Sequence, residues 1–346
     1  MITLKTIDAH AAGEPLRLIV DGFPSPQGRT MLDKREWVRT HSDHLRRALM
    51  LEPRGHADMY GAILTEPVAP GSHAGVLFMH NEGYSTMCGH GVIAVTTMAI
   101  ERGLIMPGPV VANAGERTEA DRDEATIVYD SPAGTIRARA KIRAGGAARV
   151  ESVSFLNVPS FVLHGGMSVK LATRVIRADV AFGGAFYAIV DSEAVGLPID
   201  IAHLPELRRV GMEIKHAIEA TQTIVHPLDA GLAGIYGTIF TGPPSDDRAD
   251  LRNVTIFADA EVDSSPCGTG TAAVMAVIDA MGLLGSDRPF VHESLIGTRF
   301  NGRVASRTTV GEYPAIVPEI EGSAWITGEH TFLVDDGDPL RDGFRI

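Results

Sequence analysis

Apolar positions along this chain fall into two kinds of run. Residues 92–100 and 271–278 carry no charge on any face, the pattern of a helix buried on all sides. Each of these runs is entered through the same four-residue pattern, Cys88-Gly89-His90-Gly91 in one and Cys267-Gly268-Thr269-Gly270 in the other. Each is left through a glycine followed by a leucine, Gly103-Leu104 and Gly282-Leu283, the usual signal of a helix C-terminus. Phe78 and Phe257 stand ten residues ahead of the two cysteines, inside β-type runs at 76–79 and 254–257. The chain therefore reads twice as strand, loop, Cys-Gly-x-Gly, helix, glycine stop, with the copies about half its length apart.

The shorter runs predict strands. Residues 1–8 read as an N-terminal strand, and 126–129, 135–142, 152–156, 161–163 and 185–190 read as further strands. A last strand is expected near 324–334, and a helix over about 205–220. Residues 24–28 and 242–247 are loops rich in Pro, Gly and Ser. Periodicity is weakest at Ala144-Gly145-Gly146-Ala147, which marks a domain boundary. Two domains are expected: residues 1–147 together with about 320–346, carrying Cys88, and residues 148–319, carrying Cys267.

Composition narrows the function classes. The 346 residues are enough for two domains. A hydrophobic content of 45% and a charged content of 21% are those of a globular protein. The formal net charge of -12 argues against a nucleic-acid partner, which calls for a basic patch. No apolar run approaches the roughly 20 residues a membrane helix needs, and the N-terminus lacks the apolar core of a signal peptide. A cytoplasmic protein with reduced thiols is expected. Two cysteines could close one bridge, but that is no disulfide framework.

A cysteine at a helix start carries chemistry. The N-terminus of a helix favours the thiolate and offers backbone N–H groups to an anion. Gly89 and Gly268 let a carboxylate approach those groups closely. Two such entries supply a base for one face of a carbon and an acid for the other, as removal and return of a proton beside a carboxylate requires. Such a site needs neither metal nor cofactor. No C-x-x-C or H-x-x-x-H spacing supports zinc, and no phosphate-loop motif competes. The plainer reading of each cysteine is a small buried hydrophobe; it accounts for the apolar helix but not for the repeated entry. His90 could face a substrate with its ring or only with its backbone N–H, as could Thr269 in the other copy. Asp263, four residues before Cys267, is a candidate partner for a substrate ammonium or a turn residue ahead of Ser264-Ser265-Pro266.

These residues resemble the proline racemase family over nearly the whole chain. Met87-Cys88-Gly89-His90-Gly91 is similar to that family's first motif and Asp263-Ser264-Ser265-Pro266-Cys267-Gly268-Thr269-Gly270 to its second. Supporting segments are Ile7-Asp8-Ala9-His10 with Gly13-Glu14, Glu52-Pro53-Arg54-Gly55-His56, Phe182-Gly183-Gly184-Ala185-Phe186 and Asp338-Pro339-Leu340-Arg341-Asp342-Gly343-Phe344. The resemblance implies a mixed α/β fold like that of diaminopimelate epimerase: two similar domains, each a curved sheet around a central helix, with the active site in the cleft between them. It implies a homodimer acting on a small molecule without a cofactor. Cys88 and Cys267 would be the acid/base pair, Gly89, His90, Gly268 and Thr269 the carboxylate cradle, and Asp263 the amine partner. Ser264 departs from the family, which often has Arg there.

The family's reactions divide at the second cysteine. Proline racemases and 4-hydroxyproline 2-epimerases keep both thiols, whereas trans-3-hydroxy-L-proline dehydratases typically replace the second, often by Thr. Cys267 therefore favours inversion of Cα. Residues 54–61, 80–85, 184–187 and 235–238 look more like dehydratase and proline racemase sequences, and the His-Ile-Glu run often found near the end of 4-hydroxyproline epimerases is missing. Racemase or epimerase is the first reading, dehydratase the second. A non-catalytic binder of cyclic amino acids is the third; it would need the N–H groups but not the sulfurs.

Overall fold

The computed structural model describes residues 1–106, 124–143, 148–285 and 288–345. The chain divides into two compact units, Met1–Phe155 with Glu321–Ile346, and Leu156–Ile320. The segment 144–147, expected as a boundary, lies outside the described residues.

The first unit runs β1 (Ile2–Ala11), β2 (Glu14–Asp21), α1 (Met31–His41), α2 (Asp43–Met50), β3 (Tyr60–Thr65), β4 (Ala74–His80), β5 (Tyr84–Ser85), α3 (Gly89–Glu101), β6 (Glu124–Ser131), β7 (Gly134–Ile142) and β8 (Val150–Leu156). The second runs β9 (Ser160–Lys170), β10 (Val175–Phe182), β11 (Phe186–Asp191), α4 (Leu204–Glu219), β12 (Val225–His226), β13 (Asp229–Ala233), β14 (Ile235–Gly242), β15 (Leu251–Phe257), β16 (Glu261–Asp263), α5 (Gly268–Ala280), β17 (Phe290–Glu293), β18 (Arg299–Val310) and β19 (Tyr313–Gly322). The last strand, β20 (Ala324–Val334), pairs antiparallel with β1 from Ile2↔Val334 to Ala11↔Ala324, so the C-terminal segment belongs to the first unit.

Strand pairing repeats between the units step for step. In the first, β1 and β2 are antiparallel, β2 and β3 parallel, β3 and β4 antiparallel, β4 and β5 antiparallel, β4 and β6 parallel, and β6 and β7 antiparallel. In the second, the same sequence of pairings runs through β10, β11, β14, β15, β16, β17 and β18. The duplication read from two short motifs is thus a duplication of whole sheets.

Each repeat holds one dry helix. In α3 every residue from Gly89 to Ile100 is buried, and the helix packs on β1, β2, β3, β7 and β20. In α5 every residue from Gly268 to Val277 is buried, and it packs on β9, β10, β11 and β18. Surrounded by strands, such a helix has no face for a charge, which is why neither 89–100 nor 268–278 carries Asp, Glu, Lys or Arg. Both end as the glycines foretell. Gly103 (φ +64) and Gly282 (φ +71) turn left-handed, and the following N–H groups of Leu104 and Leu283 return to Ala99 and Ile278 at 2.8 and 3.0 Å. Helices α1 and α2 have no counterpart in the apolar reading. In α1 only Met31, Lys34 and Val38 are buried, and the helix is started by a capping box between Thr30 and Asp33.

Candidate active site

Cys88 is the N-cap of α3 (φ -143, ψ 112), and its Sγ accepts the Gly91 N–H at 3.2 Å. The sulfur therefore sits on the positive end of the helix, where a thiolate is stabilised. Gly91 cannot carry a side chain, since a Cβ there would run into the Phe78 ring. His90 lies beside the thiol, with Nδ1 3.3 Å and Nε2 3.5 Å from Cys88 Sγ. Its ring meets Tyr60 edge-on at 4.8 Å, and Tyr60 donates its hydroxyl to Ser85 Oγ at 2.6 Å. Burial pushes His90 down to about 3, so the imidazole beside the thiol is neutral near pH 7.

Cys267 is the N-cap of α5, and its Sγ accepts the Gly270 N–H at 3.3 Å. The backbone differs: Cys267 has φ +61 and ψ 107, a region that costs a side-chain-bearing residue of order 1–3 kcal/mol. The neighbours differ as well. The hydroxyls of Tyr187 and Thr269 each lie 3.7 Å from the sulfur and 2.6 Å from one another. Asp263 Oδ1 accepts both the N–H and the hydroxyl of Ser265, at 2.8 and 2.6 Å, and Ser265 Oγ in turn accepts the Cys267 N–H at 3.1 Å. Burial pushes Asp263 up to about 6. Burial first, and the charge of Asp263 second, push the Cys267 thiol well up, against the pull of the Gly270 N–H and the two hydroxyls.

The structure puts the residues singled out from sequence in two groups. Cys88, Gly89 and His90 form the entry of α3, and Asp263, Cys267, Gly268 and Thr269 that of α5. At each entry the first helical N–H groups have no intrahelical acceptor, by the geometry of helices. Asp263 performs the turn role through Oδ1. Tyr187 was not foreseen as a neighbour of the thiol. It lies on β11, which is buried from Phe186 to Val190, so no alternation marks which of its residues faces α5. Among the described residues no group of three or more His, Cys, Asp or Glu is placed to hold a metal ion, and no helix is long and apolar enough to cross a membrane.

Two buried thiols capping the dry helices of a duplicated mixed α/β fold define a narrow class of enzyme. The chain belongs to the proline racemase family, whose sequence model matches residues 6–345. It is 48% identical to the trans-3-hydroxy-L-proline dehydratase of Bacillus cereus, over 99% of this chain and 97% of that protein. It is 42% identical to the 3-hydroxyproline 2-epimerase of Burkholderia multivorans and 38% identical to the proline racemase of Clostridioides difficile, in both cases over 99% of this chain and 98% of the relative. Its fold is similar to that of a hydroxyproline epimerase from Agrobacterium vitis solved with bound trans-4-hydroxy-L-proline, with a TM-score of 0.89 and 30% identity over 100% of this chain and 95% of that one. The family thus holds racemases, epimerases and dehydratases, all of them enzymes.

Proposed function

We propose that this enzyme inverts Cα of a proline-type amino acid, with 3-hydroxyproline the first candidate substrate. One observation carries the reading: both sulfurs cap a helix in the same way, Cys88 on Gly91 and Cys267 on Gly270. Dehydration needs one base at Cα, so a second thiol kept in the same pose has work only if a proton is returned to the opposite face. The substrate follows from the relatives: the two that are more alike act by name on 3-hydroxyproline, and the proline racemase is more distant.

In this scheme the two thiols act on one substrate. Cys88 takes the Cα proton as thiolate. The electron pair passes into the carboxylate, whose charge is stabilised by the backbone N–H groups at Gly89, His90, Gly268 and Thr269. Cys267, whose thiol holds its proton because of burial and Asp263, delivers that proton to the other face. Asp263 receives the substrate ammonium. Turnover leaves the proton on Cys88 and the charge on Cys267, ready for the reverse reaction.

Dehydration of trans-3-hydroxy-L-proline is the second reading, favoured by the 48% identity to the Bacillus cereus enzyme. Incubation with L-proline, 4-hydroxyproline and trans-3-hydroxy-L-proline in deuterated water separates the two. Inversion puts deuterium on Cα of the opposite configuration. A cyclic imine, trapped with borohydride and with no inverted product, would replace the first reading by the second.

A further inference from the structure

Three fully buried polar side chains stand behind the second thiol and take no part in the scheme above: Asn253, Thr271 and His292. Asn253 and Thr271 converge on the carbonyl of Pro266, the residue before Cys267, and His292 contacts both of them. Asn253 Nδ2 donates to that oxygen at 3.1 Å and to the Glu293 carbonyl at 3.3 Å. Thr271 Oγ1 donates to the same Pro266 oxygen at 3.1 Å. The Thr271 hydroxyl also lies 2.8 Å from His292 Nδ1, and Asn253 Nδ2 lies 3.2 and 3.0 Å from His292 Nδ1 and Nε2, so the buried imidazole backs both donors. Burial pushes His292 down to about 3, so the ring stays neutral.

The consequence lies in the backbone of Cys267. A peptide unit is planar, so holding its oxygen and its N–H fixes the whole plane. For the Pro266–Cys267 unit the oxygen is held by Asn253 and Thr271, and the N–H by Ser265 Oγ at 3.1 Å. On the other side, the Cys267 carbonyl accepts the Thr271 N–H at 2.7 Å as the first bond of α5. Cys267 is thus strung between two immobilised planes, and its φ of +61 is imposed from outside. Cys88 sits at φ -143, a conformation that any residue adopts, and needs no such imposition.

We infer that Asn253 and Thr271, backed by His292, are positioning residues that clamp the Pro266 carbonyl and so hold the Cys267 thiol on the N-terminus of α5. That the clamp serves catalysis rests on the two-thiol reading; that it sets the pose of the thiol does not. The test uses the full-length enzyme carrying Asn253→Ala, Thr271→Val or Thr271→Ser. Two quantities are read: the kinetics of Cα inversion, and the iodoacetamide alkylation rate of each cysteine by peptide mass spectrometry. A released Cys267 relaxes toward an ordinary φ and leaves its buried pose. Asn253→Ala and Thr271→Val should then lower kcat for inversion by about ten-fold or more, with KM held within about two-fold. In the same samples Cys267 should alkylate about five-fold faster, while Cys88 in the other unit keeps its rate. Thr271→Ser, which keeps the hydroxyl, should restore both quantities. Unchanged Cys267 alkylation overturns the inference. So does a rise shared equally by Cys88, which signals general loosening, or a Thr271→Ser enzyme as impaired as Thr271→Val. If the unaltered enzyme inverts no substrate, the two-thiol reading fails while the alkylation pattern still decides the clamp.

Discussion

The entries of α3 and α5 carry the same sulfur over the same helical N–H, and almost everything else around the two differs. Cys88 has relaxed extended backbone and an imidazole 3.3 Å away. Cys267 has an imposed positive φ, two hydroxyls at 3.7 Å and a buried carboxyl two hydrogen bonds behind it. Duplication of the sheet supplies two equivalent positions; the neighbours make them unequal. The first sulfur has a neutral imidazole beside it, whereas burial and the charge of Asp263 keep the proton on the second. In the proposed scheme that difference assigns the resting enzyme one base and one acid.

The largest expected effect comes from removing a sulfur. Cys88→Ala and Cys267→Ala should each lower Cα inversion by about 10²–10⁴-fold, the usual worth of a positioned acid or base. Next come the two glycines under the sulfurs. A Cβ on Gly270 would lie 2.9 Å from both Cys267 Sγ and Ile239, and one on Gly91 would strike Phe78. Each Gly→Ala change should cost about 1–3 kcal/mol of stability in denaturant unfolding, the usual cost of overpacking. Faster alkylation of the local cysteine alone would show that the damage stays within one unit. Equal acceleration of both would break the picture of two separately built sites.

A pH series sharpens the comparison through Asp263, a feature of the second site only. Burial favours its neutral form, so the carboxylate appears as pH rises through about 6. A folded value above the ordinary carboxylate range also means that this group favours the folded state at low pH and loses that contribution as pH rises through about 6. If the carboxylate holds the substrate ammonium, KM falls between pH 5 and 7, and Asp263→Asn removes that slope; a KM indifferent to both would take Asp263 out of substrate binding. The smallest effect is expected from Tyr187→Phe. It removes a 2.6 Å hydrogen bond to Thr269 and should cost about 1 kcal/mol in thermal unfolding, with the Cys88 alkylation rate unmoved.

What could be read from sequence was local. The motifs, the two dry helices and the glycine stops announce themselves within some fifteen residues, because a helix surrounded by strands has no face on which to carry a charge. Helix α4 was equally legible, since Leu207, Val210, Gly211, Ile214 and Ile218 form one buried stripe. Helices α1 and α2 were not: the first buries three residues, one of them Lys34, and its start is a capping box rather than an apolar run. The site was legible where it is continuous in sequence. Tyr187, Asn253 and His292 reach the second sulfur or its turn from β11, β15 and β17, and strands buried on both faces show no alternation that could aim a side chain. The positive φ of Cys267 was hidden too, because it is imposed by donors far away in the chain.

The most direct test of two unequal thiols acting on one carbon is the Cys267→Ala enzyme, incubated with the wild-type enzyme's preferred substrate in deuterated water. With Cys88 alone, deuterium should enter Cα with retention of configuration, and inverted product should form at least about 100-fold more slowly than with the unaltered enzyme. Inversion at the unaltered enzyme's rate would contradict the account, because a carbon cannot be inverted at that rate by an acid that is no longer there.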